Sequence, residues 1–265
     1  MEFRDAEELR RVCAERLGEG PGAQFAELAR RGFRLEAATA DAPPTGRCRL
    51  GGAALLEPGT PWPELEGVPL SLHAVLDTDA LAPWLGAELP LRPGLLNFFY
   101  LDPEIPYEEY RRLDRSTAPD FRVLAADPGR AVEVPAPAPA RSYPARPVRA
   151  VGSVMLPDCW DVDDDDFAYD RDRRWGATEV VLDRLEDFDG NTAGRHCAFG
   201  WPDTSYSTAV TRRDADGPLV HLLQLAADEE LGWAWGDDGS IYFGIPPAAF
   251  AAGDFARAEW EGRCG

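Results

Sequence analysis

Apolar residues in this chain recur mostly at a spacing of two, in short runs closed by glycine, proline and aspartate. The clearest run lies between Gly217 and Pro247. Leu219 to Leu225 has only His221 and Gln224 as polar members and reads as a buried strand. Leu231, Trp233 and Trp235 then alternate with Gly232 and Ala234. Gly236, Asp237, Asp238 and Gly239 supply a turn, because Asp and Gly tolerate positive φ. Ile241, Phe243 and Ile245 resume the alternation. Period two on both arms predicts a hairpin with one buried face. Its other face is small, with Gly232, Ala234 and Gly244, so something could approach it closely.

The rest of the chain fills in around such strands. Asp5 and Glu8 resemble a capping box ahead of a helix carrying Leu9, Val12, Cys13 and Leu17. Gly18, Gly20, Pro21 and Gly22 are expected to break it, with a second short helix around Phe25, Leu28 and Ala29 up to Gly32. Phe33, Leu35 and Ala37 read as a strand. Gly51 to Pro63 reads as an irregular loop pinned by Trp62. Leu70 to Leu76 is a second buried strand, followed by a helical turn at Leu81, Trp84 and Leu85 and an aromatic strand from Leu95 to Leu101. Alternating prolines between Val132 and Val148 predict an extended connector. Strands at Val148 to Met155 and Arg195 to Phe199 flank an acidic loop, Asp158 to Asp172, and a helix from Trp175 to Phe188.

Two stretches share a plan. Setting Pro69-Leu70 on Pro218-Leu219 places Leu76 on Leu225. Past a turn glycine, Gly94 or Gly239, Leu96, Phe98 and Tyr100 then fall on Ile241, Phe243 and Ile245. A Trp-Pro pair precedes each copy, Trp62-Pro63 and Trp201-Pro202. The combination predicts a degenerate internal duplication. The expected fold is α+β and β-rich: two degenerate structural repeats of mainly antiparallel sheet, with helices at the periphery. One pseudo-symmetric domain spans 1–265, with N-terminal helices at 1–32, a first half at 33–130, the Pro-rich connector at 131–147 and a second half at 148–265.

Charge narrows the partners. The 265 residues carry a formal net charge of −20, so phosphate would be repelled and nucleic acid is not expected as a partner. A basic protein or a cation is compatible with that field. All 27 basic residues are arginine, which we read as codon bias rather than mechanism. The five cysteines are odd in number and lack a CxxC, arguing against a disulfide scaffold or a structural zinc site. The N-terminal stretch is charged, without the apolar core of a signal peptide, and no apolar run reaches the roughly 20 residues of a membrane span. A cytoplasmic protein with free thiols is expected.

Candidate chemistry is sparse. His73 and His221 fall on opposite faces of equivalent strands, which disfavours a shared metal site, and no cofactor is expected. His196 adjoins Cys197, but adjacent strand residues point apart. Asp161, Asp163, Asp165 and Asp172 take positions 1, 3, 5 and 12 of a calcium loop, yet Asp166 stands where the sharp turn requires Gly. A solvated acidic loop is the better reading of the run, and Asp161, Asp163, Asp164, Asp165 and Asp166 are also the candidate contacts for a basic partner. Trp62, Trp201, Trp233 and Trp235 could line an aromatic groove, though core packing is the commoner role of such residues. No phosphate loop, GxSxG elbow or HExxH occurs.

Gly51-Gly52, Leu56, Gly59, Trp62-Pro63 and Pro69-Leu70, with HLLQL at His221 to Leu225 and WGDDGSIYF at Trp235 to Phe243, resemble the signature of the YwqG-like family, a bacterial domain of unknown function. Ala54 and Glu57 stand where prolines are usual, and Val75 where the first copy carries Gln, although Gln224 keeps the second. The resemblance implies a mixed, β-rich fold with duplicated halves and carries no catalytic residue. The functional expectation is a binding protein that takes or neutralises a basic protein partner, with Asp161, Asp163 to Asp166, Trp201, Gln224, Trp233 and Trp235 as binding residues. The alternatives are a hydrolase-like enzyme using a carboxylate cluster or an aromatic groove between the halves, and a structural or stress-response protein without a ligand. The sequence sets no oligomeric state.

Overall fold

The computed structural model describes residues 6–102, 104–114, 119–157, 196–202, 218–236 and 239–263. The acidic loop Asp158 to Asp172, the helix expected from Trp175 to Phe188, and Asp5 of the capping box lie outside the described residues.

Ten strands form one antiparallel sheet. Its members are β1 (Arg30–Ala37), β2 (Arg49–Leu50), β6 (Ser71–Asp77), β7 (Leu95–Tyr100), β8 (Phe121–Ala126), β10 (Arg146–Met155), β11 (Cys197–Phe199), β12 (Val220–Ala226), β13 (Ser240–Ile245) and β14 (Glu259–Arg263). Their order is β14-β13-β12-β11-β1-β10-β2-β6-β7-β8. Two small two-stranded sheets pair β3 (Ala54–Leu56) with the distant β9 (Val132–Val134), and β4 (Glu64–Leu65) with β5 (Val68–Pro69). Five helices accompany them among the described residues: α1 (Ala6–Leu17), α2 (Glu19–Glu27), α3 (Thr78–Leu85), α4 (Tyr107–Tyr110) and α5 (Pro247–Ala252). The fold is therefore β-rich α+β, built on a large antiparallel sheet.

The pairings on the two sides of the centre follow the same register. Leu76 lies opposite Leu96 and Leu225 opposite Ile241; Ala74 faces Phe98 and Leu223 faces Phe243. Each pair of strands slips once, past His73 in β6 and past Leu222 in β12. Such a bulge puts two neighbouring side chains on one face. Leu222 and Leu223 accordingly both join the main core, where Ala74 and Leu76 also lie.

The sheet folds back on itself. Phe98 of β7 meets Phe243 of β13 at 5.3 Å between ring centroids, and Phe121 of β8 meets Trp260 of β14 at 6.4 Å. Those strands stand at opposite ends of the order, so the two halves face one another across a shared aromatic and aliphatic core. A second core, with Leu55, Leu70, Leu72, Val75 and Phe99, lies under β3 and β9. A third seats α1 and α2 on Val154 and Leu156. Asn97 fastens the second layer. Its amide accepts from the Leu55 N–H and donates to the Leu55 carbonyl, both at 2.8 Å, making the contacts a strand would otherwise make.

Three local expectations change. The helix break is Gly18 alone, at φ 85°, and α2 runs through Gly20, Pro21 and Gly22. Pro21 falls in the first turn, where a missing N–H costs no helical bond. Gly22 is needed because a Cβ there would lie 2.4 Å from the Cys13 carbonyl oxygen. The stretch from Gly51 to Pro63 contains β3, so its apolar centre is a strand rather than loop. The stretch from Leu231 to Trp235 is not a hairpin arm: β13 pairs with β12 and β14 instead. Asp228 and Trp233 exchange backbone hydrogen bonds at 3.0 and 2.9 Å, the Asp228 carboxylate accepts from the Leu231 N–H, and Gly232 takes φ 71°. A tight aspartate-anchored loop thus competes with the extended pattern and wins.

Candidate binding cleft

The folded-back sheet leaves a cleft of about 560 Å³ between its halves. Tyr100 at the end of β7, Asp102 just beyond it, and Tyr107 and Tyr110 of α4 supply one side. The Asp228–Trp233 loop and its continuation supply Gly232, Ala234, Trp235 and Gly236, and β14 supplies Trp260 and Arg263. The Pro-rich connector adds Arg141. The connector is held in place here: the Arg141 N–H donates to the Ser71 hydroxyl at 2.8 Å, and the Gly52 N–H to the Tyr143 carbonyl at 3.1 Å.

Beside the cleft lies an aromatic cluster centred on His73. Its ring is 5.0 Å from Tyr143, 5.3 Å from Trp233 and 5.3 Å from Trp235, centroid to centroid. His73 is fully buried, and neither ring nitrogen has a hydrogen-bond partner among the described residues. Burial, with the nearby Arg141 charge adding, pushes its pKa down to about 3, so the ring is neutral. The indole N–H of Trp235 donates to the Ala226 carbonyl at 3.0 Å and that of Trp260 to the Asp120 carboxylate at 2.8 Å. Both tryptophans can therefore offer a ligand ring surface and no donor. Tyr143 donates its hydroxyl to the Asp102 carboxylate. Burial raises the Asp102 pKa; the Arg141 charge opposes that and Glu104 adds to it.

A charged chain flanks the same loop. Arg146 donates to Asp228 at 2.5 Å and to Glu230 at 2.9 Å. The Ala226 N–H donates to His196 Nδ1 at 3.2 Å, so the proton of the neutral ring sits on Nε2, which donates to Asp228 at 3.1 Å. Burial pushes the His196 pKa down against the pull of Asp228. Burial also pushes the Asp228 carboxyl up, but the bonds from Arg146 and His196 outweigh it and its pKa lies below the ordinary value. With both nitrogens engaged, His196 orients the loop and has no site left for a substrate proton. Two thiols are equally quiet: burial raises Cys13 to about 11 and Cys48 to about 12, leaving neither as a thiolate at neutral pH.

The residues singled out from sequence fall in different places. Asp161, Asp163, Asp164, Asp165 and Asp166 lie outside the described residues. Trp201 sits apart from the cleft, its indole N–H donating to the Leu28 carbonyl at 2.7 Å and its ring under the Arg30 guanidinium at 3.7 Å. Trp62 packs edge-on against Phe99 at 5.2 Å in the second core. Gln224 is buried in β12, between Cys197 and Tyr242. Trp233 and Trp235 do come together, 6.0 Å apart, with Trp235 on the cleft wall. His221 does not join His73: its Nδ1 donates to the Phe199 carbonyl at 2.9 Å, and burial pushes its pKa down to about 4. Asp102, Arg141, Tyr143 and Trp260 escaped notice. A tyrosine and an arginine embedded in a Pro-rich stretch were the available signal for two of them.

No group of three or more potential metal ligands occurs among the described residues, and no helix among them is long and apolar enough to cross a membrane. The fold and the cleft define a β-rich domain whose two halves share an aromatic-walled recess. Its family follows from comparison: residues 48–264 match a domain of unknown function, DUF1963, and the chain belongs to that family. The central strand β1 precedes the matched region. A search of curated proteins finds no match.

Proposed function

We propose that this is a non-enzymatic binding protein of the cytoplasm that takes a basic protein partner in the cleft between its halves. The observation that carries the reading is the cleft itself, with a lining drawn from both halves that combines aromatic residues with the small, exposed Gly232 and Ala234. Recesses of a few hundred cubic ångströms with convergent polar groups are the usual form of a binding site. The net charge of −20 favours a basic partner by steering. The acidic run Asp161 to Asp166 is proposed to raise the association rate. His196 and two of the thiols support binding over hydrolysis, because both His196 nitrogens are engaged and Cys13 and Cys48 stay protonated. Cys13 and Cys48 are buried thiols outside any disulfide, in keeping with a reducing compartment. We read the two halves as YwqG-like repeats of one ancestral unit; the paired registers and the matched slips at His73 and Leu222 support that reading.

The test is affinity capture with immobilised wild type and Ala234→Trp at low and high salt. Ala234 is exposed on the cleft wall, so the indole should fill the recess without disturbing the core. A partner held by wild type at low salt, released at high salt and lost with Ala234→Trp is the expected result. Equal retention by both proteins would remove the cleft from the account.

A further inference from the structure

We propose that the cleft holds one cationic side chain of the partner, an arginine or a lysine, with its charge on Asp102 and its stem against Trp235 and Trp260. This rests on the cleft reading above and adds the chemistry of the group that enters.

Asp102 is the first ground. Among the described residues it makes no ion pair, and its one side-chain hydrogen bond comes from the Tyr143 hydroxyl. Tyr143 is itself buried and packed on His73, so the partly exposed carboxylate is held from behind by a fixed donor. The walls are the second ground. The indole donors of Trp235 and Trp260 are spent on Ala226 and Asp120, leaving ring faces that attract cations. Tyr100 stands within 6.0 Å of Trp235 and 4.6 Å of Trp260, centroid to centroid, and completes an aromatic surround.

The two arginines on the cleft wall would argue for an anion if they stood alone. They do not. Arg141 lies 3.8 Å from Glu104, and Arg263 lies 2.5 Å from Glu261. Their charges are balanced locally by those carboxylates, while Asp102 feels the Arg141 charge but forms no ion pair among the described residues, and the whole protein repels anions. A guanidinium or ammonium group fits this balance, and a carboxylate or phosphate does not.

The probes are blocked tripeptides, acetyl-Gly-Arg-Gly-amide and its citrulline counterpart, which differ chiefly in charge. Tryptophan fluorescence of the full-length protein is titrated with each at low ionic strength. The arginine peptide should quench saturably, and citrulline should bind at least tenfold more weakly. Asp102→Asn, checked for an unchanged melting temperature, should weaken the arginine peptide about tenfold, near 1.4 kcal/mol. Arg141→Gln should tighten it several-fold, since it removes a like charge. Equal binding of citrulline, or weaker binding by Arg141→Gln, overturns the proposal in favour of a neutral or anionic ligand. Absence of saturable quenching up to about 10 mM also overturns it. In that last case loss of captured partner in Ala234→Trp would still sustain the binding reading, so the two failures are distinguishable.

Discussion

Acid should destabilise this protein through its buried histidines, and His73 allows the effect to be isolated. In the unfolded chain a histidine titrates near 6.5, whereas in the fold burial holds His73 near 3. Between those values the unfolded state binds a proton that the folded state refuses. The folded pKa is depressed, so the contribution is whole above about pH 6.5 and declines as pH falls, until the folded ring also titrates near 3. Integrating the linkage from pH 7 to pH 5 gives a loss of about 2 kcal/mol for this one side chain. His221, held near 4 by burial, should lose a similar amount, about 2 kcal/mol. Asp102 and Glu88, whose pKa values burial raises, act in the opposite sense, so the informative quantity is a difference between proteins. The variant is His73→Leu, which places in β6 the residue type that occupies the slipped position of β12. At pH 7 the substitution should cost less than about 1 kcal/mol or stabilise, because it removes two buried nitrogens without partners. Between pH 7 and pH 5 it should lose about 2 kcal/mol less than wild type. Urea melts at both pH values measure this, with equal m-values as the check on two-state behaviour. An identical pH dependence in the two proteins would mean that His73 is hydrated or paired, and the burial argument would fail.

Three further outcomes are expected. Phe243 is fully buried and meets Phe98 and Phe121 across the folded-back sheet, so Phe243→Ala should cost about 3–5 kcal/mol in denaturant melts; a loss below about 1 kcal/mol would contradict the packing of one half on the other. Asn97→Ala leaves the Leu55 N–H and carbonyl without partners and should cost about 2–4 kcal/mol, with hydrogen exchange at Leu55 accelerated; unchanged exchange would place the strand's support elsewhere. Cys13 and Cys48 should resist a thiol reagent at pH 8 in the folded protein and react on unfolding, and rapid labelling in native buffer would show that their burial is transient.

The sheet was more legible than the cleft, for a physical reason. Leu219 to Leu225 and Leu70 to Leu76 are apolar enough that only a buried strand suits them, and β12 and β6 lie close to those bounds. Alternation at Ile241, Phe243 and Ile245 located β13 for the same reason. Alternation misled at Leu231 to Trp235, where Asp228 and Gly232 close a loop whose hydrogen bonds the apolar pattern does not encode. The slips at His73 and Leu222 are also invisible to a strict period of two. The cleft depends on contacts between distant segments: Asp102 with Tyr143, Trp260 with Tyr100, Arg141 beside Gly232. Each of these residues has an ordinary local setting, and only the folding back of the sheet gives it neighbours. Trp233 and Trp235 could be singled out because aromatic residues flanked by Gly and Ala leave one side open. Trp201 shares that aromatic character but spends it on Leu28 and Arg30.

The central claim is that the partner enters between the two halves, and site-specific photo-crosslinking tests it most directly. Benzoylphenylalanine is placed at Tyr107, 69 % exposed on the cleft rim, or at Val132, 48 % exposed on β9 and absent from the cleft lining. The two sites are comparably accessible, so general stickiness would label both. The account predicts a salt-sensitive crosslinked species from position 107 that disappears with Ala234→Trp, and none from position 132. A crosslink from position 132 with none from 107 would contradict it.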